Sequence, residues 1–134
     1  DVTIDVAGYV TGPSAPSSGA GLFTVIGSQR LADTRLPLGF DRLESGETSV
    51  LSVGVPGATA VLQNLALTDT AGPGFYTSAP NDGSPLPFVS NGNSSGANQI
   101  RAAFSITALP PNGQARYFAQ TATHLVIDVY GYVT

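Results

Sequence analysis

A chain of 134 residues and 13.6 kDa is the size of one domain, and 42% hydrophobic residues suffice for one packed core. Five arginines, no lysine and nine acidic residues leave a net charge of −4, so no basic surface is on offer to nucleic acid or anionic lipid. The lack of cysteine excludes disulfides, thiolate catalysis and cysteine-based zinc sites, and no stretch reaches the roughly 18 to 20 apolar residues of a membrane helix.

In chain order, Val2 to Val10 alternates Val2, Ile4, Val6 and Val10 against Thr3, Asp5, Ala7 and Tyr9, the period of a half-buried strand. No charged and apolar leader precedes it, so the start is expected to be mature sequence or an excised fragment. Thr11 to Gly21 has no apolar period and reads as a linker. Further strands are expected at Leu22 to Ile26, Ser49 to Val55, Ala58 to Thr68, Gly74 to Ala79 and Leu86 to Ser90, then at Gln99 to Ala108, Gln114 to Gln120 and His124 to Val133. Turn signals separate them: Pro56-Gly57, Gly72-Pro73-Gly74, Asn81-Asp82-Gly83, Gly92 to Gly96 and Pro110 to Gly113. Leu36 to Glu47 carries Pro37, Gly39 and Gly46 and fits no helical period; it is expected to be an ordered loop. The sum is an all-β, antiparallel β-sandwich of about eight or nine strands, with jelly-roll and immunoglobulin-like topologies both open. Phe23, Phe75, Phe88, Phe104 and Phe118 are expected inside it.

One strand occurs twice. Val2 to Thr11 reads VTIDVAGYVT and Leu125 to Thr134 reads LVIDVYGYVT, identical at seven of ten positions. This pattern is expected of a tandem array, in which residues 1–11 are a terminal strand like the end of a preceding repeat, 12–21 a linker and 22–134 the module.

Arg30-Leu31-Ala32-Asp33-Thr34-Arg35, Val55-Pro56, Ala60 to Asn64, Gly72 to Phe75 and the closing Thr123 to Tyr132 carry a likeness. In them the chain resembles a tandem β-rich repeat module, marked by R-L-x-D-T-R and T-H-L-x-x-D-V-x-G-Y, of secreted and surface proteins of high-GC Gram-positive bacteria. Gln63-Asn64-Leu65 departs from the family's usual Leu-Asn-Val. The resemblance implies an extracellular or cell-surface location and other copies or adjacent repeats as partners, and is nearly silent as to activity.

The residues agree on chemistry. His124 is the sole histidine, and Asp128, four residues along the same strand, lies roughly 13 Å from it. No G-x-S-x-G elbow exposes a serine, and the acids are dispersed, so neither a serine triad nor a glycosidase pair is expected. Asn81-Asp82-Gly83 reads as a turn; calcium has only carbonyls and Asn91, Asn93 and Asn98 to hold it, and no other cofactor is implied. Arg30, Asp33, Arg35 and Asp128 are expected to form a structural network, with Asp33 capping the turn and Arg35 paired with Asp128 or Asp33, and Arg35 the leading partner for Asp128. Tyr76, Tyr117, Tyr130 and Tyr132 are the candidate ligand surface of the alternative reading, a glycan-binding module that targets an attached enzyme; Tyr130 and Tyr132 are expected to share the Asp128 face.

Overall fold

The computed structural model describes residues 4, 6, 12–14 and 17–134. The duplicated strand at residues 1–11, and with it the expected boundary between terminal strand and linker, thus lies outside the described residues apart from Ile4 and Val6. Eight strands follow: β1 (Phe23–Asp33), β2 (Glu47–Ser52), β3 (Ala60–Thr68), β4 (Pro73–Pro80), β5 (Gly92–Ser95), β6 (Arg101–Ala108), β7 (Gln114–Ala119) and β8 (His124–Val133). They form two antiparallel four-stranded sheets, in the orders β1-β8-β3-β6 and β2-β7-β4-β5. First pairs with last, second with seventh, third with sixth and fourth with fifth. One long hairpin, closed between β4 and β5 and rolled on itself, gives that order, and it is the jelly-roll arrangement.

The period-two pattern explains the sandwich. In β3, Val61, Gln63, Leu65 and Leu67 point inward and are buried, while Leu62, Asn64 and Ala66 alternate outward. Leu125, Ile127 and Val129 of β8 join them, and Tyr76, Ala115, Tyr117 and Ala119 meet them from the opposite sheet. Burying one such Leu or Ile side chain contributes about 1.5–3 kcal/mol.

The loop between β1 and β2 is ordered, as its irregular pattern implied. Leu43 anchors it by a bridge to Thr123, and Phe40 stacks on Tyr117 with ring centroids 5.9 Å apart. Gly39 is required in this loop: its φ is +93°, and a Cβ there would stand 2.7 Å from the Cβ of Ala32.

Three expectations are corrected. β1 runs on to Asp33: the ladder is irregular between Val25 and Gln29, and pairing with β8 resumes at Gln29 and Arg30 on an exposed edge where polar side chains cost little. Leu86 to Ser90 is no strand: Pro85 and Pro87 remove donors from the ladder there, and the pairing passes to Gly92–Ser95, which hydrogen-bonds to β4. Phe23, Phe88 and Phe104 lie outside, Phe88 at 92% exposure with its ring edge-on to Phe75 at 5.4 Å. In β6 the inward positions are Ser105 and Thr107, so the phenyl and butyl groups of Phe104 and Ile106 face out.

Candidate functional site

The two motifs distant in sequence meet along the β1–β8 ladder. Register places Arg30 opposite Asp128 and Asp33 opposite Val126. Arg30 donates through Nε to Asp128 Oδ1 at 2.5 Å and through Nη1 to Asp33 Oδ2 at 2.7 Å. Arg35 grips Asp33 bidentately, Nε to Oδ1 and Nη2 to Oδ2, each at 2.8 Å, and its backbone N–H adds a bond to Oδ1 at 3.2 Å. Asp33 is thus the hub. The expectation that Arg35 holds Asp128 is corrected to Arg30, since Arg30 lies directly across the ladder whereas Arg35 follows the turn that Asp33 caps.

Arg35 above all, through its side chain and then its backbone N–H, with Arg30 assisting, holds the Asp33 carboxyl well below the usual carboxylate range. The Asp33 side chain is 1% exposed, but the guanidiniums that cover it are 43% and 46% exposed. The group is therefore sealed by arginines at the surface rather than sunk in the core.

Next to it, the Thr34 hydroxyl accepts the Leu125 N–H at 2.9 Å and lies 2.9 Å from His124 Nδ1. When it donates to that nitrogen, a neutral ring carries its proton on Nε2. Asp128 faces Arg30 and not His124, and the histidine's partner is a threonine that fastens the start of β8. This network zips β1 to β8.

The tyrosine surface is corrected. Tyr76 and Tyr117 are buried; the Tyr76 hydroxyl lies 3.2 Å from Ser94, and that of Tyr117 donates to Gln63 Oε1 at 2.9 Å, while burial pushes the Tyr117 phenol above its ordinary range. Tyr130 and Tyr132 do not share a face. On β3, Leu62 and Gln63 are successive, yet their partners on β8 are Gly131 and Val129, so Tyr130 is the extra residue of a β-bulge. The bulge reverses the alternation: Tyr130 stays outside and Tyr132 packs against the core.

Gln63 is the feature sequence reasoning left unplaced. Fully buried, it also donates from Nε2 to Thr107 at 2.9 Å, and a chain of hydroxyls continues through Ser78 and Ser105 to Asn91. These six residues, Tyr117 included, lace the two sheets together through a polar core layer in which each amide and hydroxyl has a partner. The polar positions at Ser105 and Thr107 within an otherwise strand-like run were the signal for it. Asn91 is committed to this layer and the Asn93 amide bonds Ser90, whereas Asn98 is placed through its backbone, which turns at φ +56° and donates its N–H to the Thr70 carbonyl. Asn81-Asp82-Gly83 is a turn: Asp82 accepts from both the N–H and the hydroxyl of Ser84.

Part of the outer face of the β1-β8-β3-β6 sheet is apolar, beside the polar row of Arg30, Asp128 and Asn64. Val25, Gly131, Leu62 and Ile106 stand in register across all four strands, with Phe23, Phe104 and Tyr130 beside them. Val25 is 72% and Phe104 60% exposed. Gly131 is covered on this face by the Phe23 ring, since a Cβ there would come within 2.5 Å of that ring and 2.6 Å of the Thr24 carbonyl oxygen. Compared with known protein families and with curated proteins, the chain has no match.

Proposed function

We propose that the chain is a non-catalytic extracellular module, repeated along a secreted or surface protein, that spaces or assembles it and exchanges strands between copies. The observation that carries this reading is the apolar outer face. Among the described residues nothing covers it, its one adjoining ion pair, Arg30–Asp128, is internally neutralised, and such a face marks an interaction site in a charge-poor protein. A second copy or an adjacent repeat is the partner, because the chain itself carries the strand sequence of β8 twice. The Thr134 N–H donates to the Leu22 carbonyl at 3.1 Å and the Gly21 N–H to the Thr134 carbonyl, so the linker ends beside the end of β8.

Sedimentation of the full chain tests the reading. Self-association that Phe104→Ser with Val25→Thr weakens, and that deletion of residues 1–11 alters, is the expected result; a monomer at all concentrations, equal in all three proteins, would overturn it. Esterase, peptidase and glycosidase screens are expected to show no turnover, and turnover abolished by His124→Ala would refute the non-catalytic part. The glycan-binding alternative has lost its tyrosine platform, with Tyr76 and Tyr117 inside and Tyr132 against the core.

A further inference from the structure

The two sheets part where β5 and β6 approach each other, and a cleft of about 300 Å³ runs between them. Protein interiors ordinarily leave few voids larger than a water, and this space falls at the lower bound of small-ligand sites. Its origin is local. Ala103 supplies only a methyl group from the inward face of β6, and Gly92 supplies none from β5, where a Cβ would already stand 3.4 Å from Leu67.

The depth of the cleft is apolar, built from Leu65, Leu67, Leu125 and the ring of Tyr76. Polar atoms at that depth are already satisfied: Tyr76 meets Ser94, Tyr117 donates to Gln63, and the Thr77 hydroxyl donates to the Val89 carbonyl. An occupant gains no hydrogen bond there, so its buried part must be hydrocarbon rather than sugar. The rim differs. Arg101 lines it, exposed, and its guanidinium bonds the carbonyl of its own neighbour Ile100 at 3.1 Å. Arg30, Arg35 and Arg42 each hold an acid and Arg116 is tied to Ser84 and Pro85, whereas Arg101 has no carboxylate partner among the described residues.

We propose that this cleft binds a small amphipathic anion, an unbranched alkyl carboxylate of medium length, with its chain between the sheets and its carboxylate on Arg101. The apolar depth and the single cation at the mouth are complementary to the two ends of such a molecule, and a guanidinium matches a carboxylate through two parallel bonds.

Titration of the isotope-labelled full chain with decanoate, decanol and acetate, read by amide chemical shifts, tests it. Decanoate is expected to saturate below its micelle concentration with shifts at Leu67, Tyr76, Asn93 and Ala103, decanol to bind about five-fold more weakly, and acetate to leave these amides unmoved. Arg101→Gln, an exposed change outside the core, is expected to lower decanoate affinity about five-fold and leave decanol unchanged. Ala103→Phe fills the cleft and is expected to abolish both; should that variant not fold, decanoate protection of the wild type against thermal unfolding, reduced in Arg101→Gln, gives the same answer. Shifts confined to the outer face around Phe104 and Ile106, no saturable shift, or an equal loss of both ligands in Arg101→Gln would overturn the proposal.

Discussion

Asp33→Asn removes the charge at the hub of the β1–β8 junction while keeping the side chain's shape. The carboxylate accepts three bonds from Arg35 and one from Arg30, between 2.7 and 3.2 Å. Breaking a deeply buried pair costs about 3–5 kcal/mol and an exposed one about 0.2–1 kcal/mol. Asp33 lies between these limits, sealed from water by guanidiniums that are themselves nearly half exposed, so the screened loss at neutral pH is about 2 kcal/mol. The asparagine also turns an NH2 toward one arginine, which adds to the loss rather than offsetting it. Since folding holds this carboxyl below its ordinary value of 3.8, the unfolded chain binds the proton more readily. The contribution is therefore complete well above that value and drains away as pH falls through it and below. Urea unfolding of both proteins at pH 7 and at successively lower pH is the assay. The stability gap is expected to narrow steadily below about pH 4, as linkage requires. A gap under about 0.5 kcal/mol at pH 7, or one that does not change with acid, would refute the hub.

The cycle of Arg30→Gln with Asp128→Asn is expected to give a coupling of about 0.5–1 kcal/mol by chemical denaturation, while Arg35→Gln with Asp128→Asn gives none. Gly131→Ala forces a methyl group into the Phe23 ring and the Thr24 carbonyl, and a loss of about 1–3 kcal/mol is expected, recovered in part by Phe23→Ala. Gln63→Leu leaves the Tyr117 hydroxyl without its acceptor, while Thr107 keeps Ser78 and Ser105, and should cost about 2 kcal/mol, whereas adding Tyr117→Phe to it should cost little more.

Strand period and turn residues made most of the sandwich legible. β3, β6, β7 and β8 fall where alternation or apolar runs placed them, because each presents one face to a core. β5 was hidden for the opposite reason: Gly92 to Ser95 has no apolar side chain, and its pairing rests on backbone bonds to β4 and on the buried hydroxyl of Ser94, which donates to the Gly72 carbonyl. Alternation says nothing about such a strand. The ionic network was legible as a set, since Arg30, Asp33 and Arg35 lie close in sequence, but which arginine meets Asp128 depends on ladder register, a property of two strands 98 residues apart. The tyrosines failed at one residue. A bulge at Tyr130 shifts every later side chain to the other face, and the one sign of it in Val129-Tyr130-Gly131 is the glycine, a residue that often marks a bulge within a strand. Gln63 looked like a departure from a pattern; opposite Ser105 in the ladder and bonded to Thr107, it is one of a matched polar set whose members lie on different strands.

That the chain enters at Leu22 and leaves at Thr134, side by side on antiparallel strands, decides how the module answers a pulling force. Tension applied through the two ends acts first on the bonds of Thr134 to Gly21 and Leu22, then on the pair Phe23 and Val133 and on the pairs that follow. The ladder peels one bond at a time instead of shearing all its bonds at once. Halfway along stands the Arg30–Asp128 pair, with Asp33 behind it, where the peeling must break ionic contacts as well as backbone ones. An array of such modules would lengthen under modest load and hold at that clasp, behaving as an extensible tether rather than a stiff rod.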